Sequence, residues 1–277
     1  MEVTHIENLP KSQTLEGQTK SIKIDLTPRW IRVKFNGETI ADSKDVLVLH
    51  ERGRLPVYYF PEKDVRKEAL SLTEKSSHCP LKGTASYWSI KVGDIVSENA
   101  VWSYQDPIPE AEGIKGYFAF YWSKVDAWFE EEEEVFVHPR DPYKRVDALA
   151  SSRHIKIEKD GVTLAKSSRP VIVFETGVPV RYYLPKEDVN QEYLETSALN
   201  TRCPYKGIAS YWNTNIHGKT YENIVWSYLN PIPEQPKIAG LLAFYNEQVD
   251  IYINGELEEK PPWYYSALDY FNANEIS

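Results

Sequence analysis

Apolar residues along the chain recur in short, strand-like runs. Ile31-Arg-Val-Lys-Phe35 alternates with period two, and Asn36-Gly37 joins it to Glu38-Thr-Ile-Ala41. An Asn-Gly pair between such runs is the strongest short-range hairpin signal. Ile155-Lys-Ile-Glu158 followed by Asp160-Gly161 repeats that signal. Val46–Leu49 and Val57–Phe60 are strand-like, and Pro61-Glu-Lys-Asp64-Val65 predicts a short helix capped by its aspartate. Further strands are predicted over Ala85–Val92, Ile95–Val96 and Val101–Tyr104, with Tyr117–Tyr121 and Val125–Phe129 as a closing hairpin. Short strands at this spacing, rich in Tyr, Trp and Val, predict a mainly β, antiparallel sandwich or barrel-like domain with short helices.

The pattern occurs twice. Cys79-Pro-Leu-Lys-Gly-Thr-Ala-Ser-Tyr-Trp88 returns as Cys203-Pro-Tyr-Lys-Gly-Ile-Ala-Ser-Tyr-Trp212, an offset of 124 residues. The same offset carries Arg29 to Arg153, Glu51 to Glu175, Tyr59 to Tyr183, Asp64 to Asp188 and Trp102 to Trp226. So long a period marks a duplicated domain, because solenoid repeats run about 20 to 50 residues. The predicted organisation is a first domain over 22–134, an ordered linker over 135–149, a second domain over 150–260 and a tail over 261–277. Two prolines and the anchors His138, Arg140, Asp141, Tyr143 and Arg145 predict a linker hydrogen-bonded to both domains, and the apolar tail predicts docking on a domain surface.

A length of 277 residues with 42% hydrophobic content suffices for two cores. The net charge of −9, with five consecutive glutamates from Glu130 to Glu134, disfavours a phosphate backbone, so no nucleic-acid partner is expected. That acidic run predicts a solvated strand end. The apolar runs are too short for a membrane helix and the polar first residues lack a signal pattern, so no membrane partner and a soluble, cytoplasmic location are expected. Cys79 and Cys203 occupy matching positions in separate copies and predict free thiols. No ligand spacing points to a metal, and no cofactor is indicated.

Gly37…Ala41-Asp-Ser43, Glu51, Tyr58-Tyr-Phe-Pro61, Asp64-Val, Cys79-Pro-x-Lys-Gly, Ala85-Ser-Tyr-Trp88, Trp102-Ser-Tyr and Phe120-Tyr, in this order and in both copies, resemble the family called domain of unknown function 427. The linker His138-Pro-Arg-Asp-Pro-Tyr143-x-Arg-Val-Asp147 is similar to that of members carrying two such domains. The resemblance implies a compact, mainly β domain and no assigned activity. The family is sometimes grouped with nucleotidyltransferases, yet the chain lacks a Gly-Ser motif with paired aspartates to hold magnesium.

Three constellations carry candidate chemistry. In Cys79-Pro80-Leu81-Lys82-Gly83 and its copy at Cys203 and Lys206, an amine three residues from a thiol favours a nucleophilic thiolate; the alternative is a buried structural cysteine. Glu51 and Glu175 end apolar strands, as a general base or ligand anchor, or else as salt-bridge partners of Arg29 and Arg153. Tyr59, Trp88 and Trp102, repeated as Tyr183, Trp212 and Trp226, wall a ligand pocket together with the two arginines, or else form core and domain interface. The leading expectation is a small-molecule site, catalytic or not, in each repeat or at their junction. The alternative is a non-catalytic interaction or scaffold protein, monomeric and built as an intramolecular pseudo-dimer.

Overall fold

The computed structural model describes residues 22–51 and 54–261, so the expectation for most of the tail falls outside the described residues. The chain divides into two compact units, Met1–Glu131 and Glu132–Ser277. In the first, β1 (Ile22–Leu26), β4 (Leu47–Glu51), β5 (Val57–Pro61), β9 (Tyr117–Phe120), β8 (Ile95–Ser103), β7 (Gly83–Val92) and β6 (Leu70–Cys79) form a seven-stranded sheet in that order. A second sheet contains β10 (Ala127–Glu130), β2 (Ile31–Phe35) and β3 (Glu38–Ser43). The β2–β3 hairpin turns at Asn36 and Gly37, whose φ of 47° and 76° are the left-handed values that an Asn-Gly turn supplies.

In the second unit β11 (Glu133–Val135) precedes a seven-stranded sheet. Its order is β12 (Val146–Ala150), β15 (Val171–Glu175), β16 (Arg181–Leu184), β20 (Leu242–Phe244), β19 (Lys219–Ser227), β18 (Gly207–Ile216) and β17 (Leu194–Cys203). The smaller sheet runs β14 (Val162–Ser167), β13 (Ile155–Lys159), β21 (Asp250–Ile253), β22 (Glu256–Leu257). The strands are antiparallel and the two units repeat one topology. Residues 146–149, expected as the end of a linker, thus belong to β12, an edge strand of the second domain.

Adjacent strand residues point to opposite faces, and this alternation gives each large sheet two apolar faces. Tyr58, Phe60, Val101, Phe120 and Trp128 fill the core between the two sheets. Tyr59, Tyr87, Ala119 and Tyr104 belong to a separate cluster that also takes in Ala111 and Ile114 of a 3₁₀ segment, Pro109–Ile114. Tyr87 is therefore buried in this cluster, while the half-buried Trp88 packs edge-on against Phe118 at 5.0 Å on the inter-sheet core. Trp212 packs in the corresponding core of the second copy.

Several local expectations are corrected. Tyr117–Tyr121 and Val125–Phe129 do not close as a hairpin: β9 pairs with β5 and β8 in the large sheet, whereas β10 pairs with β2 in the small one. The predicted helix at Pro61–Val65 is one 3₁₀ turn, Glu62–Asp64, with no side-chain cap; Asp64 instead accepts from the Ser43 hydroxyl at 2.6 Å and ties β3 to the turn. Ser167 and Asp188 repeat this bond at 2.7 Å. Glu130, first of the acidic run, is buried, accepting from Arg29 at 2.9 Å and from the Tyr58 hydroxyl at 2.7 Å.

One core position differs between the copies in a way that carries a prediction. Thr214 stands where the first repeat has Ile90; both are fully buried, and the Thr214 hydroxyl has no hydrogen-bond partner. Thr214→Val keeps the shape and removes the orphaned group, so it should stabilise the second domain by about 1 kcal/mol in urea unfolding.

Candidate functional site

The hairpin joining β6 to β7 is held by its own sequence. Cys79 and Gly83 face each other in register, and the Lys82 N–H donates to the Cys79 carbonyl at 3.2 Å. The Lys82 carbonyl in turn accepts from the Ile108 N–H at 3.2 Å. Gly83 has a φ of +98°, and a Cβ there would come within 3.4 Å of the Asp106 carbonyl oxygen and the Ile108 nitrogen. The left-handed φ is what favours glycine here, a contact of 3.4 Å being an ordinary one. Gly207 repeats the arrangement with a φ of +106° and Ile232 at 3.3 Å.

From this tip Lys82 reaches Glu51 with an Nζ–Oε2 distance of 2.5 Å. Three strands separate β4 from β7 in the sheet order, so this contact requires the sheet to coil around its outer cluster. The coil brings together Glu51, Lys82, Cys79, Tyr59, Tyr87, Tyr104 and Trp102. Trp102 donates from its indole N–H to the Tyr59 hydroxyl at 3.4 Å and lies 4.6 Å from the Tyr121 ring. In the second copy Glu175 and Lys206 form the same short ion pair, Trp226 donates to Tyr183 at 3.1 Å, and Cys203 packs in the equivalent cluster.

Each carboxylate takes a second cation, from a different segment in each copy. Arg54 Nε lies 3.1 Å from Glu51, whereas Lys144, from the segment before β12, lies 2.8 Å from Glu175. Burial works against ionisation of Glu175, but Lys206 and Lys144 overcome it and hold the carboxyl below its usual range. Burial likewise opposes the Lys206 ammonium, and is outweighed by Cys203 and Glu175, which hold its pKa well above normal. Lys206 therefore stays charged at neutral pH and serves as a fixed cation, not as a base. Burial pushes Tyr183 up to about 12 and raises Tyr59, Tyr104 and Tyr228 as well, so these phenols stay neutral.

The other residues singled out from the sequence lie elsewhere. Arg29 pairs with Glu130, and Tyr182, the counterpart of Tyr58, donates to Glu258. Arg153 acts electrostatically on Tyr182, away from Glu175. Neither arginine is the partner of the strand-end glutamates; those partners are lysines and Arg54. Trp88 and Trp212 face the inter-sheet cores and do not wall the site.

The segment 136–145 makes further contacts within the second unit that residue types alone do not reveal. Tyr205, at the hairpin tip, accepts from the Asp141 N–H at 2.7 Å and lies 5.6 Å from the His138 ring. Lys144 Nζ stands 5.2 Å over the Tyr205 ring, and Arg202 4.2 Å over Phe136. The one signal available in the sequence was the density of basic and aromatic anchors between the prolines. Among the described residues no three His, Cys, Asp or Glu side chains gather to hold a metal ion.

The profile of the family described as Domain of unknown function (DUF427) matches residues 23–131 and 147–255. The chain belongs to this family. It carries the DUF427 domain twice, each match spanning one copy of the coiled sheet and its Glu–Lys–Cys cluster. No curated protein matches the chain. No helix among the described residues is long and apolar enough to cross a membrane.

Proposed function

We propose that each DUF427 domain of this chain is a small-molecule-binding unit whose reactive group is the cysteine of Cys-Pro-x-Lys-Gly. The observation that carries this reading is the charge balance: among the described residues, one nearly buried carboxylate in each copy is matched by two cations, although the second cation, Arg54 or Lys144, comes from positions that the offset does not relate. One positive charge is left for an anion at the site. The neighbouring thiol, partly accessible in both copies, meets it as a thiolate or through an anion bound beside it. Two free thiols fit a reducing, cytoplasmic setting.

The competing reading is a non-catalytic scaffold, favoured by the near-complete burial of the Glu–Lys pair among tyrosines. Alkylation by iodoacetamide at neutral pH, followed peptide by peptide, separates the two. A reactive site makes Cys79 and Cys203 about tenfold faster in the native chain than in the chain unfolded in urea. Native cysteines slower than unfolded ones would establish the scaffold.

A further inference from the structure

Cys203 has a second environment, opposite in character to the charged cluster. With Pro204, Ile208, Ile232, Val135 and Phe136 it lines a cavity of about 70 Å³, to which Glu134 and Arg140 add a polar edge of both charges. Water occupies about 30 Å³ per molecule in the liquid, and an apolar cavity of about 150 Å³ admits benzene, so this space suits a fragment of about three non-hydrogen atoms. Apolar walls make such a cavity a poor site for water and a good one for carbon. The cavity depends on the backbone geometry of the hairpin: Gly207 lets the chain at Asn230–Ile232 approach to van der Waals contact. The Ile232 N–H then locks it by donating to the Lys206 carbonyl at 3.1 Å.

We infer that Cys203, set between a cationic cluster and a three-atom apolar cavity, is the attachment point for small uncharged carbon electrophiles, the α,β-unsaturated carbonyl compounds being the class that fits. The inference rests on the reading of Cys203 as a reactive thiol and adds the size and polarity of what it takes. In the step itself the sulfur lone pair forms the S–C bond at the β-carbon. The C=C π pair shifts to the α-carbon, and the α-carbon takes up one proton, equal to the one the thiol released. The adduct is thus the sum of thiol and electrophile, with no oxidant or leaving group.

The test compares acrylamide, whose vinyl group fits the cavity, with N-phenylmaleimide, which does not, on the full chain at neutral pH. Labelling is read separately at Cys203 and Cys79 by peptide mass spectrometry. The expected result is that the acrylamide-to-maleimide rate ratio is about tenfold higher at Cys203 than at free glutathione. Ile208 is 47% exposed, so Ile208→Phe crowds the cavity without touching the core; it should slow acrylamide at Cys203 about tenfold and leave Cys79 unchanged. A Cys203 that reacts rapidly but with the same size ratio as glutathione overturns the inference and spares the reactive-thiol reading. A Cys203 inert to both reagents overturns both.

Discussion

Lys206→Met should destabilise the second domain by about 3 kcal/mol, the largest effect expected of any single substitution at the site. Lys206 and Glu175 are both nearly buried, and removing one member of such a pair strands the other charge in a medium that cannot solvate it. Lys144 remains to hold Glu175, which places the cost at the lower end of the usual range. The double variant Glu175→Gln/Lys206→Met removes both charges with little change of volume and should recover most of the loss. The sign of the pH dependence follows from the carboxyl. Because the folded Glu175 holds its proton less tightly than the unfolded chain does, the pair's contribution is complete above about pH 4.5 and is lost as pH falls through the lowered folded value. Urea unfolding with hydrogen exchange on second-domain peptides, at pH 7 and at pH 3.5, checks both the magnitude and its decline in acid.

His138 predicts a second large effect at milder pH. It is 9% exposed, and burial lowers its pKa from 6.5 to about 4, with Lys144 adding to the shift while its bond to Pro139, Asp141 and Glu175 oppose it. Its Nδ1–H donates to the Pro139 carbonyl at 2.7 Å, which fixes the tautomer of the neutral ring. The unfolded chain binds a proton at pH 6.5 that the folded one refuses until about pH 4. Stability conferred by the neutral ring is therefore complete above pH 6.5 and falls by about 3 kcal/mol as the pH drops to 4. His138→Phe keeps a flat ring against Tyr205 and should flatten this part of the pH profile. A wild-type profile that already lacks the decline between pH 6.5 and 4.5 would contradict the assignment.

Much of the fold was legible because strand periodicity and turn chemistry are local. Asn36-Gly37, the alternation at Ile31–Phe35 and the 124-residue offset each report on neighbours in sequence, and each reappears as a hairpin, a strand or a domain. The edge strands β6 and β17 were missed because an edge strand on a solvated flank needs few apolar residues: Ser71, Glu74, Lys75, Ser76 and Ser77 are all exposed. Glu130 hid in a run of five glutamates, since composition cannot tell which of them turns inward to meet Arg29 and Tyr58.

At the site, the sequence marked Glu51, Cys79, Lys82, Tyr59 and Trp102 because both copies keep them, and the coiled sheet brings all five to one cluster. It also marked Arg29, which pairs with Glu130, and Trp88, which packs against the inter-sheet core; both copies keep these equally well. A repeat comparison detects retention and is blind to which face a strand residue takes until the register is known. Arg54 and Lys144 escaped for the converse reason: they do one job from positions that the offset does not relate.

If the lysine on each glutamate makes the adjacent thiol reactive, the rate of iodoacetamide alkylation at Cys203 near pH 7 must follow the charges beside it, as three proteins would show. Relative to wild type, Glu175→Gln leaves two cations without their carboxylate and should speed the reaction, while Glu175→Gln/Lys206→Met withdraws the nearer cation and should slow it about tenfold. If the single and double variants instead alkylate at the wild-type rate, the Glu175–Lys206 pair holds the hairpin in place and has no part in the chemistry of Cys203.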